Sequence, residues 1–327
     1  MVSKKPFGAT RDGIAVSAYT IENECGIAVT VLDYGATLQS VVLPHKGGRL
    51  DVLLGYDTIE EYEQNDGYLG ASIGRFAGRI PDAILRIGAD AFPVTANEGK
   101  NQLHGGRTGF DRFVHEASYA DDSVTFSRRS PDGEEGYPGT LAYSVTYALN
   151  GDTLSIAFRG ASDRMTAWNP TNHAYWNLNG HDAGDTREHR LEIPADRYVP
   201  VGPDMIPLQG EADVARTRYD FRTLRRIGGA FDNCFVCSGG PIRLIGNRGV
   251  GMEIRTDCTA VQFYNAKFLG VRKGKGGALY IPFGAVCLET EGRQTMRGMP
   301  VAEENVLPGN GAAVTHKTMY RFICKED

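Results

Sequence analysis

Apolar and polar positions alternate with a period of two along much of this chain. Tyr143, Val145, Tyr147 and Leu149 are separated by small or polar residues. The run turns at Asn150-Gly151-Asp152 and resumes at Leu154, Ile156 and Phe158. Such alternation puts one set of side chains on one face of a strand, and Asn and Gly tolerate the positive φ of a tight turn. A β-hairpin is predicted. Shorter strand signals fall at Ile27–Leu32, Gln39–Leu43, Val124–Ser127, Arg190–Ile193, Gly251–Arg255 and Ala260–Tyr264. Others fall at Ala285–Glu289, Ala312–Val314 and Tyr320–Cys324. Helix signals are few. Thr58 with Glu61 three residues on is a capping-box start for a turn or two through Tyr62, and Thr223–Ile227, stopped by Gly228-Gly229, reads as another short helix. With no long 3.6-residue stripe, internal repeat or Pro/Ser-rich linker, the expectation is one all-β domain over residues 1–327, a large antiparallel β-sandwich.

Composition agrees. Forty-one of the 327 residues are glycine, nearly twice the usual share of about 7%, which disfavours helices and favours many turns. A net charge of −5 without a long Lys/Arg run argues against nucleic acid or an anionic membrane as partner. No apolar stretch approaches the ~18 residues of a membrane span, and the N-terminus does not read as a signal peptide. The six cysteines are expected to be reduced thiols of a cytoplasmic protein. Cys234 and Cys237 have CxxC spacing, but on a strand they face opposite sides and no second Cys/His pair has zinc spacing, so no metal is expected. Lys273-Gly274-Lys275-Gly276-Gly277 lacks the context of a phosphate loop and reads as a mobile hairpin tip.

Candidate chemistry is concentrated in a few places. His45, His115 and His316 sit in surface-like settings. His104 precedes Gly105-Gly106, where backbone or ligand can approach closely. His173 lies in Asn169–Leu178 with Asn172, Tyr175, Trp176 and Asn177. Amides and imidazole bond hydroxyls in both directions and aromatic faces stack on sugar C–H faces, so this segment is either a sugar site or a polar turn anchored by Trp176. Glu289 and Asp232 stand in apolar runs; each is an exposed strand-end acid or a buried group with a partner or a task. Gly70–Arg79 supplies a basic partner, since arginine offers planar bidentate donors.

Six segments in order carry a resemblance: Leu32–Leu38, Gly74–Ile80, Asn101–Gly106, Asn172–Leu178, Phe231–Asn233 and Leu288–Thr290. Together they resemble the aldose 1-epimerases, or mutarotases, over nearly the whole chain. The resemblance implies a β-sandwich of the galactose-mutarotase type, an aldose as partner and no cofactor. It implies Glu289 as general base and His173 as general acid, with His104, Arg75 and Asp232 binding sugar hydroxyls; Tyr175, Trp176 and Gln262 are added to the pocket. His173 is expected to be protonated beside an ionised Glu289, its pKa raised by acids such as Asp232. Two departures fall near the expected pocket: Gly78 stands where Asn is common, and Thr290–Pro300 replaces the family's usual Gln and Pro-Asp-Ala-Pro-Asn-like run. Competing readings are a glycoside hydrolase with paired carboxylates, a non-catalytic sugar-binding module, and a hexose-6-phosphate epimerase for which Arg293 and Arg297 are candidate phosphate ligands.

Overall fold

The Tyr143–Phe158 hairpin is the centre of the largest sheet. A computed structural model describes residues 1–46, 48–64 and 66–324. Leu141–Asn150 pairs antiparallel with Thr153–Ser162, aligning Val145 with Phe158, Tyr147 with Ile156 and Leu149 with Leu154. All six are buried, so the alternation has its physical cause in one face turned to the core. In its nine-stranded sheet, Glu116–Tyr119 and Ser123–Ser130 lie on one side of this hairpin, and Val314–Cys324, Val250–Thr256, Ile242–Ile245, Arg190–Glu192 and Arg225–Arg226 follow on the other.

Two five-stranded antiparallel sheets complete the frame. One runs Val2–Ala9, Ala15–Glu22, Ala28–Leu32, Thr37–His45 and Gly48–Asp51 in sequence order. The other has the order Ala212–Asp213, Arg197–Val199, Asp232–Val236, Ala260–Tyr264 and Cys287–Glu291. Val29, Val145, Ile254, Phe263 and Leu288 belong to one core cluster, so the three sheets bury their apolar faces against one another as a β-sandwich. Among the described residues no helix is long and apolar enough to cross a membrane.

Several expectations change. Helix Ile59–Glu63 forms with both halves of its Thr58–Glu61 capping box, but Thr223–Ile227 is not helical: Arg225–Arg226 pairs with Arg190–Leu191 as a strand. Ladder pairing outweighs the local helix preference. Ala312 lies outside the last strand, which begins at Val314. Lys275 is no mobile tip. It is buried, with Nζ 2.6 Å from Asp51 Oδ2 and 2.9 Å from Gln39 O, and this pairing is what allows the charge to be buried. His115 is buried rather than surface-like, its Nε2 2.8 Å from Tyr143 Oη; burial holds its pKa down to about 4.

Candidate active site

Three neighbouring strands carry the acids of the site. Gln262 stands opposite Glu289 in the register of Ala260–Tyr264 with Cys287–Glu291, and Asp232–Val236 flanks them. Alternation divides their side chains. Val261, Phe263 and Leu288 enter the core, while Gln262, Glu289, Glu291 and Asp232 line a cavity of about 220 Å³. That is below the roughly 300–1,000 Å³ of drug-sized pockets and suits a single small ring.

Opposite the acids lies the irregular segment around His173. Backbone bonds from His173 N to Ala71 O and from Gly70 N to His173 O, both 2.9 Å, fix its position. His173 Nε2 comes within 3.7 Å of Glu289 Oε2, with both side chains almost wholly buried. The imidazole stacks on Tyr175 (ring centroids 5.0 Å, 16°) and meets His104 edge-on at 5.3 Å. Gly78 N donates to His104 Nδ1 at 3.2 Å. In neutral His104 the ring proton therefore sits on Nε2, making that nitrogen a donor. Arg79 reaches the same cavity. Its Nε and Nη2 form a fork on Glu98, both contacts 2.6 Å, and Nη1 bonds to none of the described residues.

Burial dominates the electrostatics. It pushes Glu289 well above the usual carboxylate range, with Glu291 and Asp232 adding like-charge repulsion and Arg79 opposing. Glu291 rises to about 8, again mainly through burial, and Asp232 rises as well. His173 is not raised by neighbouring acids as expected; burial takes it down to about 4. His104 falls well below 6.5 through burial, then the His173 and Arg79 charges. Burial therefore disfavours the charged form of both Glu289 and His173.

Six of the eight residues named from the sequence line this cavity: Glu289, His173, His104, Asp232, Tyr175 and Gln262. Arg75 does not. Its guanidinium is buried elsewhere and donates to Ser130 Oγ, Thr166 Oγ1 and the carbonyls of Ser130, Pro131, Pro138 and Gly139. Trp176 is also absent from the lining. It is fully buried in the core beside Tyr320 and Phe322, because in an extended segment neighbouring residues face opposite ways and Tyr175 takes the cavity side. Sequence reasoning missed Arg79, Glu98, Tyr68, Arg272, Glu291 and Gln294, all of which line the cavity. Arg293 and Arg297 lie outside it: Arg293 pairs with Glu304 at 2.8 Å and Arg297 with Asp204 at 2.6 Å.

Ligand atoms of His104, His173 and Glu289 lie within 4.8 Å of one another, close enough to consider a metal ion. The Gly78 bond argues for another use, since it occupies the Nδ1 lone pair of His104 and leaves Nε2 presenting a proton. That arrangement suits a hydroxyl. Behind the cavity the chain crosses itself closely: a Cβ on Gly105 would lie 2.0 Å from Gly74 O, and one on Gly74 would lie 2.2 Å from the Phe110 ring. These glycines serve the close packing of neighbouring segments, backbone at Gly105 and the Phe110 ring at Gly74, rather than space for a ligand.

Comparison with known proteins agrees with this geometry. The family model described as aldose 1-epimerase matches residues 17–294. Galactose mutarotase of Homo sapiens is 33% identical over 338 residues, covering 98% of each chain. Aldose 1-epimerase of Haemophilus influenzae is 36% identical over 310 residues, 89% of this chain and 90% of that one. Among solved structures, an aldose epimerase homologue from C. elegans superposes with a TM-score of 0.88 at 30% identity, covering 95% of this chain and 100% of that one. Galactose 1-epimerase from Lactobacillus acidophilus gives 0.87 at 26% identity over 98% of each chain. In sequence, in sheet architecture and over nearly its whole length, the chain belongs to the aldose 1-epimerase family.

Proposed function

We propose that the protein is an isomerase interconverting the α and β anomers of an aldose, with Glu289 as general base and His173 as general acid. The observation that carries this reading is the buried 3.7 Å approach of His173 Nε2 to Glu289 Oε2 on the cavity wall. In the ring-opening step Glu289 takes the proton of the C1 hydroxyl while His173 gives a proton to the ring oxygen. The bond from C1 to the ring oxygen breaks and C1 becomes an aldehyde carbon. Rotation about C1–C2 turns the other face of the carbonyl to the hydroxyl, and closure runs the two transfers in reverse. Each positioned acid or base is typically worth 10²–10⁴-fold in rate.

The pair holds one proton throughout. Ring opening starts with that proton on His173 and ends with it on Glu289, the distribution that burial favours. Hydrogen bonds from the free Nη1 of Arg79 and Nε2–H of His104 to sugar hydroxyls would hold the ring, and Gln262 and Asp232 face it from the sheet. Six free cysteines suit a reducing compartment such as the cytoplasm.

Polarimetry on freshly dissolved α-galactose, α-glucose and α-arabinose tests the reading. Acceleration over the spontaneous rate is expected for at least one sugar. Glu289→Gln should cut kcat by about 10²-fold or more while leaving sugar affinity within a few-fold. No acceleration for any aldose refutes the activity, and near-normal turnover in Glu289→Gln refutes the choice of base.

A further inference from the structure

Glu291 and Gln294 have no part in the proton transfers, yet both line the cavity. Glu291 is two residues beyond Glu289 on the same strand, so its side chain points to the same face. Gln294 comes from the segment that departs from the family pattern. Its Nε2 lies 3.1 Å from Glu291 Oε1 and 3.2 Å from Gln262 Oε1, and Gln262 Nε2 donates to Asp232 Oδ1 at 2.6 Å. This chain has one consistent polarity. The Asp232 oxygen accepts, so Gln262 presents its NH₂ there and its carbonyl to Gln294. Gln294 must then spend both amide hydrogens on Gln262 and Glu291. Its Oε1 and Asp232 Oδ2 receive no hydrogen bond from any described residue.

Gly78 links the two departures in space. A Cβ built there would lie 3.0 Å from Gln294 Nε2 and 3.2 Å from its Cδ. The amide of Gln294 thus occupies the room that a side chain at position 78 would take.

We propose that Gln294, admitted by Gly78 and held by Glu291 and Gln262, is a specificity-determining residue whose carbonyl, with Asp232 Oδ2, reads the ring hydroxyls of a neutral aldose. The proposal rests on the epimerase reading above and names the substrate class of the same site. A wall of acceptors attracts hydroxyls as donors. Gln294 Oε1 and Asp232 Oδ2 offer a phosphate or carboxylate no hydrogen to accept, and each of the two cavity arginines already has an acid as its charge partner, Arg79 with Glu98 and Arg272 with Asp66.

The test is kinetic, on galactose, glucose, arabinose and glucose 6-phosphate. Gln294→Ala should raise KM about 3- to 10-fold for the preferred sugar, the worth of one hydrogen bond, with the loss falling on KM more than on kcat. It should also change the ratio of kcat/KM between galactose and glucose. Gly78→Asn, where Asn tolerates the positive φ of 78°, should displace the amide and reproduce that change. The double variant should match either single one rather than multiply them. For wild type, kcat/KM on glucose 6-phosphate should be roughly 100-fold or more below that on glucose, since a phosphate set among acceptors leaves polar groups on both sides without a hydrogen bond. Unchanged KM values and sugar ratios in Gln294→Ala, multiplicative effects in the double variant, or efficient use of glucose 6-phosphate would each overturn the proposal. Wild type inactive on every sugar would instead refute the epimerase reading.

Discussion

Replacing Arg75 with lysine separates a structural arginine from a sugar-binding one. Arg75 directs its guanidinium at six acceptors contributed by Ser130, Pro131, Pro138, Gly139 and Thr166. Burial lowers its pKa to about 10, so the charge is kept by this cage. Lysine retains the charge but brings three donors instead of five and no planar fork. At least two bonds are lost, each worth about 1.5–3 kcal/mol where one partner is charged, or roughly 3–6 kcal/mol in all. An unfolding entropy of about 2.1 cal/mol/K per residue gives roughly 0.7 kcal/mol/K for a chain of this length, so the thermal midpoint should fall by about 4–9 °C. Differential scanning calorimetry measures that fall, and polarimetry below the transition should show KM for the sugar unchanged. An unmoved midpoint with a raised KM would refute the placement of Arg75 and return it to the sugar site.

Three further outcomes follow from the site. Glu291→Gln removes an acid whose charge helps raise Glu289, alongside burial and Asp232 and against Arg79. The acid limb of the kcat/KM profile should therefore move to lower pH, and a limb that stays or moves upward contradicts the coupling. Nitrogen-15 NMR of His104 should show a neutral ring protonated on Nε2 with no titration near the ordinary imidazole pKa of about 6.5; a protonation step there is incompatible with its depressed pKa. A thiol reagent on the native protein should label exposed Cys25 first. Cys234 and Cys287, whose pKa values burial pushes well up, should react only on unfolding, and a Cys234–Cys237 disulfide under mild oxidation would contradict the strand geometry.

What the chain disclosed in advance depended on how each residue meets water. The Tyr143–Phe158 hairpin was legible because one face is buried and the other is not. Val2–Ala9 gave no such signal: it is an edge strand of its sheet with almost no buried side chain, so alternation had nothing to record. Glu289, His173 and Asp232 stood out as polar groups among apolar or aromatic neighbours. Arg75 and Arg79 share one short motif, and nothing local distinguishes them. Their roles are set by remote partners, the Ser130–Gly139 carbonyls for one and Glu98 for the other. Tyr175 and Trp176 could have been separated by period-two reasoning, since facing the cavity and facing the core are mutually exclusive for neighbours in extended chain. The depressed pKa of His173 was hidden for a different reason. It depends on how completely the imidazole is enclosed, which no count of nearby acids reveals.

The crossing at Gly74 and Gly105 bears on how the site would be mapped by a genetic screen. Any side chain at either position drives atoms into the Gly74 carbonyl or the Phe110 ring. Yet neither glycine lines the cavity that holds His173 and Glu289. A saturation library scored for growth on a sugar would mark both positions as intolerant, indistinguishable from Glu289 by phenotype. The boundary drawn from such scores would run one layer too far out, enclosing a seam between chain segments along with the sugar's true contacts. Scoring abundance and turnover separately would divide the two sets: the seam would be lost from the folded pool, and Glu289 variants would persist there without activity.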